Sequence, residues 1–484
     1  MIALLLLPIL ISLFTMLVLH KSSQTAGIVG IITALFLAVT VDGLRLDTTI
    51  IHASVVNTLI LSLTAFCVIL PGLTLGVLLD EYRYNAKIRD FLAALPIDAH
   101  HKVLILLFGL LPAIESITGF GVSLILAVPL FFSLYHATTA AQLSMLSMNI
   151  ISWGTLGLST MVGSKLAGMD APTLGVMTAY FVPLYLLLFS MTAFKLLKQS
   201  RPNLGDIGFC ALLIAVFGTA LYFANRYNQV ELAGVVAGFI SFVVFCAYFL
   251  IKNKQSLAKT TRTFLIVMIP YLLVVVFVIA IKLLVYAMPN LLELGTLHGH
   301  GVNFVLFASP CLAITLTILS IAVRHRHYRI HLPIAKSIKA CATLFIFILL
   351  AQLMGFAGFI SALIASLDGV GGLWLYVLIL PIFAMLSGFV TGSNLGGNAL
   401  LMDISVQLGD KFGHDLLFAA IQNAGAGFAV FTSMPLIILI CTIASQNNVD
   451  GTLDEKSLLS FGLKLLLGVY ASIIATAAVL LLIT

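Results

Sequence analysis

The sequence predicts an all-α polytopic membrane protein with about twelve transmembrane helices and two re-entrant hairpins in an inverted repeat. Of its 484 residues, 61% are hydrophobic and 9% are charged, whereas soluble domains are about 45–50% apolar and about 25% charged. The apolar residues occur in runs of roughly 20, enough for a helix to cross the hydrocarbon core. An outer-membrane barrel is excluded, because its strands would alternate apolar and polar residues.

Twelve apolar runs are long enough to be transmembrane helices. They cover 2–19, 26–41, 52–79, 137–163, 173–194, 207–225, 231–251, 263–287, 303–323, 340–360, 417–445 and 461–482. We expect 2–19 to be a retained span and not a signal peptide, because no Lys or Arg precedes it and no small-x-small cleavage site follows. Two further apolar stretches, about 103–134 and 372–406, are broken by glycine and polar residues at mid-length.

The basic residues predict the orientation, because loops rich in Lys and Arg stay in the cytoplasm. Four loops are rich in such residues: Arg83, Lys87, Arg89 and Lys102; Lys195, Lys198 and Arg201; Lys252, Lys254, Lys259 and Arg262; and Arg324, Arg326, Arg329, Lys336 and Lys339. The first loop shares a side with the others only if an even number of crossings lies between 102 and 195. Two complete spans lie there, so the stretch 103–134 must leave by the face it enters. Both termini are then outside.

The two broken stretches resemble each other. Thr118-Gly119-Phe120-Gly121 forms the tip of the first, and Thr391-Gly392-Ser393-Asn394 forms the tip of the second. Asn149 follows the first tip and Asn423 the second at nearly the same distance. We expect the glycines after each Asn to interrupt the next span: Gly154 and Gly157, then Gly425 and Gly427.

These matched features divide the chain into a first repeat (1–194), a linking helix pair with its loops (195–262) and a second, inverted repeat (263–484). Inverted repeats with broken helices that meet at the midplane are typical of secondary transporters. The alternative is two unrelated glycine-rich packing faces, which are common between membrane helices.

Two hairpin tips and two interrupted spans would bring several helix N-termini to one point, where their N–H groups and dipoles favour an anion such as a carboxylate. The predicted substrate-binding residues are those at the tips and the interrupted spans: Thr118, Gly119, Gly121, Asn149, Thr391, Gly392, Ser393, Asn394, Asn398 and Asn423.

Two acidic residues at membrane depth are candidates for carrying a proton. Glu115 lies beside the first tip, where an unpaired charge is costly. It is either a proton carrier or a carboxylate that clasps the hairpin amides. Asp403 lies on the returning arm of the second hairpin, and it is either a second proton site or a polar residue near the outer rim.

No metal, cofactor or nucleic-acid site is predicted. The six cysteines lie in apolar runs without CxxC pairing, and the histidines lack carboxylate or Cys partners at ligand spacing. The basic residues sit in short loops and form no groove-sized patch. We interpret Lys165 and Lys282 as side chains that snorkel to the interface.

Three segments resemble the bacterial lactate permease family, one of a wider group of two-hairpin carboxylate transporters. They are ESITGFGVSLILAVPLFF (115–132), GFVTGSNLGGN (388–398) and AAIQNAGAG (419–427). The resemblance implies a proton-coupled importer of lactate, with glycolate and related 2-hydroxy monocarboxylates as further substrates, in the bacterial inner membrane. The sequence departs from the family pattern at Ser116-Ile117-Thr118, at Val122-Ser123, at Gly396-Gly397 and at 432–436. These positions line the expected pocket.

Three other functions are alternatives to a proton-coupled lactate importer. A sodium-coupled carrier of another organic anion would use unwound backbone carbonyls near Ser393 and Asn394 to bind the cation. A membrane enzyme would need a catalytic set such as HExxH or GxSxG, and a channel would not need matched hairpins. The sequence leaves the preferred hydroxy acid, its chirality and the oligomeric state open.

Overall fold

A computed structural model describes residues 2–19, 21–119, 121–148, 152–198, 203–252, 257–326, 330–367, 369–446 and 453–483. Helices dominate throughout, and one short antiparallel pair of strands joins two of them. The part of the chain that covers the predicted first repeat contains α1 (Ile2–Leu5), α2 (Leu7–Leu17), α3 (Ser23–Thr40), α4 (Thr48–Glu81), α5 (Tyr84–Ala94), α6 (Ala99–Ile105), α7 (Leu111–Thr118), α8 (Ser123–Leu134), α9 (Ala137–Leu146), α10 (Leu158–Leu166), α11 (Ala171–Ala179) and α12 (Val182–Lys198).

The remaining elements cover the predicted linking pair and the predicted second repeat. They are α13 (Leu204–Arg226), α14 (Ala233–Lys252), α15 (Leu257–Ala287), α16 (Asn290–Leu294), β1 (Thr296–His298), β2 (Asn303–Val305), α17 (Cys311–Arg324), α18 (Ile334–Phe356), α19 (Phe359–Ser366), α20 (Leu373–Thr391), α21 (Asn394–Asp410), α22 (Asp415–Ala429), α23 (Met434–Gln446) and α24 (Glu455–Ile483). A π-helical turn, Leu106–Leu110, joins α6 to α7, and 3₁₀ turns cover Thr155–Gly157, Val230–Leu232, Leu306–Ala308 and Val430–Thr432.

The predicted class, an all-α multi-pass membrane protein, is confirmed. In the described part of the chain, ten helices are long and apolar enough to cross a membrane, or eleven if the bent pair α11 and α12 is one span. Two of the ten, Ala99–Thr118 and Leu373–Thr391, are the entering arms of the predicted hairpins. The predicted first and ninth spans are shorter apolar helices, Leu7–Met16 and Cys311–Arg324.

The first hairpin is buried among the other helices. In the most apolar stretch of Ala99–Thr118, 89% of the residues are buried inside the protein. In the corresponding stretch of Glu455–Ile483, 28% of the residues are buried. After Thr118 the chain turns and continues as α8, whose 12 residues span about 18 Å. That length is too short for the hydrocarbon core of about 30 Å, which supports a helix that turns back.

The second hairpin has the same plan. It turns at Gly392, and its two arms are in direct contact, since a Cβ on Gly397 of α21 would lie 2.9 Å from Ser387 Oγ of α20. Both arms also pack closely on α22, because a Cβ on Gly388 would lie 1.9 Å from the carbonyl oxygen of Ala426. The three helices therefore form a tightly packed unit.

The first interrupted span breaks where the sequence predicts. Gly154 and Gly157 both have positive φ, 65° and 71°; Gly154 precedes the 3₁₀ turn, and Gly157 ends it and directly precedes α10. The nine residues of α10 span about 13 Å, roughly half the hydrocarbon thickness. The span is thus two half-helices.

The second interrupted span breaks at a different place from the one predicted. Gly425 and Gly427 lie inside the regular helix α22, and the break comes later, at Val430–Thr432 and the extended Ser433. The two glycines are needed for packing. A Cβ on Gly425 would lie 2.7 Å from Ala384 Cβ, and one on Gly427 would lie 2.4 Å from Ser152 Oγ. Here the small-residue packing interpretation is correct.

Candidate functional site

A cavity of about 210 Å³ lies where the two hairpin tips meet the two breaks. Ligand pockets for drug-sized molecules are typically about 300–1,000 Å³, so this cavity suits a smaller solute. Its lining comes from four segments of the chain: Glu115, Ser116, Gly119 and Gly121; Met148, Gly154, Thr155, Leu158 and Ser159; Gly392, Ser393, Asn394 and Leu395; and Val430, Pro435, Leu436 and Leu439.

Glu115 closes the first hairpin tip. Its carboxylate accepts hydrogen bonds from the backbone N–H of Gly121 (2.9 Å), the backbone N–H of Ser123 (3.2 Å) and the Ser123 hydroxyl (2.7 Å). The side chain is buried, with 7% of its surface exposed. Three donors on one carboxylate tie the end of α7 to the start of α8.

The second tip is capped by Ser393. Its hydroxyl accepts from the backbone N–H of Gly396 (3.5 Å), and its carbonyl accepts from the N–H of Gly397 (3.0 Å). This N-cap starts α21 at Asn394, because a side-chain oxygen there satisfies a helix donor that has no partner within the helix. The N-terminus of α21 is therefore at the cavity wall.

A network of asparagine amides joins the second hairpin to the interrupted spans. Asn423 Oδ1 accepts from Asn394 Nδ2 (3.0 Å) and from Asn398 Nδ2 (2.8 Å). On its other side, Asn423 Nδ2 donates to the hydroxyls of Thr160 (3.2 Å) and Thr178 (3.0 Å). All five side chains are buried, so the network fixes the hairpin relative to the first repeat.

The same network fixes the orientation of Asn394. Its Nδ2 also donates to the backbone carbonyl of Ser152 (2.8 Å), so both amide hydrogens have acceptors. Its Oδ1 is buried and has no hydrogen-bond partner among the described residues. Asn398 has the same pattern, since its Nδ2 also reaches the carbonyl of Ser159 (3.2 Å) and its Oδ1 is without a partner in the described chain.

One carboxyl group and several helix N-termini determine the electrostatics of the cavity. Among the lining residues, Glu115 is the single ionisable side chain, and none is Lys, Arg or His. The N-terminal ends of α8, α10, α21 and α23 start at or next to lining residues. Each such end carries about half a positive charge, and at α8 the N–H groups of Gly121 and Ser123 are already bonded to Glu115.

Six of the predicted site residues line the cavity: Glu115, Gly119, Gly121, Gly392, Ser393 and Asn394. Asn398 and Asn423 lie behind the wall, in the amide network. Thr118 and Thr391 do not line it, because their hydroxyls donate to carbonyls of their own helices, those of Ile114 and Ser387. Asn149 lies outside the described residues.

Asp403 is separate from the cavity. It is partly buried on α21, where Gln407 Nε2 donates to its Oδ1 (2.9 Å), and it faces α18, since a Cβ on Gly355 would lie 3.1 Å from its Oδ2. The structure therefore does not bring the two candidate proton sites together.

Several site residues were not predicted from the sequence. Thr155 and Ser159 line the cavity, while Ser152, Thr160 and Thr178 support the asparagines. Most of them are Ser or Thr residues close to Gly154 and Gly157, so the hydroxyl density around the first break was the available signal. Gln422 was also missed, although it bonds the carbonyl of Gly397 (3.1 Å).

Nothing in the described chain provides a metal site, since no three His, Cys, Asp or Glu side chains come together there. The two lysines that the sequence places at the interface have partners in the structure. Lys165 donates to the carbonyl of Asn303 (2.7 Å), and Lys282 forms an ion pair with Glu231 (2.7 Å).

Comparison with known proteins agrees with this geometry. The chain matches the sequence model of the L-lactate permease family over residues 1–308 and 280–482. It is also similar to an L-lactate permease of Streptococcus iniae, with 22% identity over 362 residues, which cover 69% of this chain and 75% of that protein.

Proposed function

Because the chain belongs to the L-lactate permease family, we propose that it is a secondary active transporter that imports a small 2-hydroxy monocarboxylate together with a proton. Lactate is the proposed main substrate, and glycolate is a second one. The protein would work by alternating access and carry out no chemical conversion. We place it in the bacterial inner membrane, with both termini on the outer face and lipid around the spans.

The observation that carries the proposal is the cavity between the two tips and the two breaks. Broken helices at membrane depth are tolerated only where they are buried or line a cavity, and here four breaks or tips converge on one. Helix N-termini would attract a carboxylate, and the absence of a basic side chain from the lining described above would allow its release. The small volume supports a solute of a few carbon atoms.

Glu115 is the proposed proton site. An ionised carboxylate in the wall would repel the carboxylate of a substrate, so proton binding to Glu115 would favour anion binding. Protonation would also weaken the three bonds that close the first tip, which links the proton to the shape of the hairpin. Asp403 is a second proton candidate that would act at a distance from the cavity.

The proposal is tested by counterflow of labelled L-lactate in proteoliposomes. We expect exchange without any ion gradient and accumulation when the outside is more acidic. Accumulation that requires a Na⁺ gradient and ignores pH would favour the sodium-coupled alternative. Absence of lactate exchange from a correctly folded preparation would contradict the proposed substrate.

The role of Glu115 is tested by Glu115→Gln, with Ser123→Ala as the matched control. Both substitutions weaken the clasp at the tip, but only the first removes the titratable group. We expect Glu115→Gln to abolish pH-driven accumulation while exchange continues, and Ser123→Ala to keep pH-driven accumulation. If both variants lose accumulation equally, or Glu115→Gln retains it, Glu115 is a structural clasp and not the proton carrier.

A further inference from the structure

One residue of the cavity wall, Asn394, has a side-chain amide whose orientation is fixed. Asn394 lines the cavity and is 1% exposed. Its Nδ2 is held by the carbonyl of Ser152 and by Asn423 Oδ1, at 2.8 and 3.0 Å. Rotating the amide by 180° would place Oδ1 against these two acceptors, so the observed orientation is the favourable one. The side chain can therefore offer a ligand an acceptor but no donor.

This acceptor is unsatisfied in the structure. Asn394 Oδ1 is buried and has no partner among the described residues. A buried polar atom without a hydrogen bond is costly, and a ligand that supplies a donor recovers that cost. A carboxylate has no hydrogen to donate, so it cannot satisfy Oδ1, whereas a hydroxyl on the same solute can.

We infer that Asn394 Oδ1 accepts a hydrogen bond from the 2-hydroxyl of the substrate and thereby selects hydroxy acids over keto acids and unsubstituted acids. This inference rests on the proposed function and specifies how the same site recognises its substrate. The N-terminus of α21, which begins at Asn394, binds the carboxylate, so one helix end holds both neighbouring groups of a 2-hydroxy acid. A keto oxygen is itself an acceptor, and it would face Oδ1 without a hydrogen between them.

The first experiment uses the wild-type protein and a ligand series. Counterflow of labelled L-lactate is inhibited with unlabelled lactate, pyruvate, propionate and 2-fluoropropionate, which is close to lactate in size but has no hydroxyl hydrogen. We expect the last three to be weaker inhibitors than lactate by at least about 10-fold, because each leaves the buried acceptor unpaired. Equal inhibition by 2-fluoropropionate and lactate would overturn the inference.

The second experiment compares Asn394→Ala with Asn398→Ala. Both remove an amide that bonds Asn423 and a backbone carbonyl of the first repeat, but only Asn394 lines the cavity. The measured quantity is the ratio of the inhibition constant of 2-fluoropropionate to that of lactate. We expect this ratio to fall towards one in Asn394→Ala and to keep its wild-type value in Asn398→Ala. If both ratios fall, selectivity comes from the network and not from Asn394.

The outcomes separate this inference from the proposed function. A wild-type protein that does not exchange lactate contradicts the proposed function. One that exchanges lactate but accepts 2-fluoropropionate equally well leaves the proposed function standing and rejects the role of Asn394. If Asn394→Ala does not reach the membrane, the wild-type ligand series still tests the required hydroxyl donor, and equal inhibition by lactate and 2-fluoropropionate overturns the inference.

Discussion

Gly119 shows how closely single residues constrain the first tip. Its backbone has φ 69° and ψ −178°, a region that essentially only glycine occupies. A Cβ at this position would also lie 1.7 Å from Thr155 Oγ1, a residue of the first break. The tip can therefore approach the break only because residue 119 lacks a side chain.

We predict that Gly119→Ala lowers the stability of the protein by more than about 2 kcal/mol, since backbone strain and overpacking each cost about 1–3 kcal/mol. The matched control is Gly168→Ala, because Gly168 has a similar φ of 66° but no atom within 4 Å of its added Cβ. The measurement is thermal unfolding in detergent. A smaller loss for Gly119→Ala than for Gly168→Ala would contradict the packing described here.

Asn423 is the residue on which the amide network depends. Its side chain makes four hydrogen bonds, two to the second hairpin and two to the first repeat. We predict that Asn423→Ala lowers stability and lactate exchange more than either Asn394→Ala or Asn398→Ala does, because it leaves several buried groups unpaired at about 1–3 kcal/mol each. Thermal unfolding of the three variants tests this order, and a smaller effect at position 423 would disprove it.

At the scale of elements, the linking helix pair supports the first break. The turn between α13 and α14 lies against the break, because a Cβ on Gly157 would lie 2.7 Å from the carbonyl oxygen of Val230. Asn225 Oδ1 accepts from Trp153 Nε1 (3.0 Å). The turn is also tied to α15, since Lys282 bonds Glu231. The pair is thus more than a spacer between repeats.

We predict that Lys282→Met lowers the unfolding temperature more than Glu231→Gln does. Lys282 Nζ donates to Glu231 Oε2 (2.7 Å), the carbonyl of Asn228 (2.8 Å) and Gln229 Oε1 (3.2 Å), so its loss leaves three acceptors without their donor. Each of the two substitutions should lower the free energy of unfolding by less than the roughly 3–5 kcal/mol that is lost when a fully buried ion pair is broken. The reason is that the Lys282 side chain is 31% exposed. Paired melting curves of the two variants provide the test, and the reverse order would refute this interpretation.

The elements also show what the sequence could and could not predict. The sequence correctly predicts a break at Gly154 and Gly157. Their polar neighbours Ser152, Thr155 and Ser159 distinguish these two glycines from glycines inside a regular helix. Gly425 and Gly427 look alike in sequence but face Ala384 and Ser152 across helix contacts. The tertiary packing determines which helix lies opposite a glycine, and a single sequence does not contain this information.

The candidate site was predictable to a similar extent. The tips and Glu115 stand out, because charge and clustered glycines are rare in apolar runs. The amide network was not predictable, since it pairs Asn423 with hydroxyls about 250 residues earlier in the chain. Asp403 was selected for its charge alone, and its position on the far side of α21 depends on the helix packing.

At the scale of the whole molecule, sidedness is the main expectation still to be tested. We predict that cysteines introduced at Asp90 and Thr138, on either side of the first hairpin, face the same side of the membrane. A cysteine at Leu294, in the loop between α15 and β1, should face the other side. All three positions are exposed.

The measurement is labelling of intact cells with a membrane-impermeant maleimide, with the wild-type protein as the background for its own six cysteines. Leu294→Cys should react in intact cells, and the other two variants should react only after permeabilisation. Labelling of Thr138→Cys together with Leu294→Cys would mean that the stretch 103–134 crosses the membrane, and the charge-based topology would be wrong.

The bonds of Asn423 also have a consequence for the order in which the protein is made. They join this residue to Thr160 and Thr178, which lie 263 and 245 residues earlier. The cavity wall cannot close until the ribosome has synthesised α22, so the half-helix α10 must wait in the lipid without its contact to Asn423. Contacts this distant in sequence form slowly, and the unfinished chain is therefore the form most exposed to proteolysis and in greatest need of an insertase or chaperone.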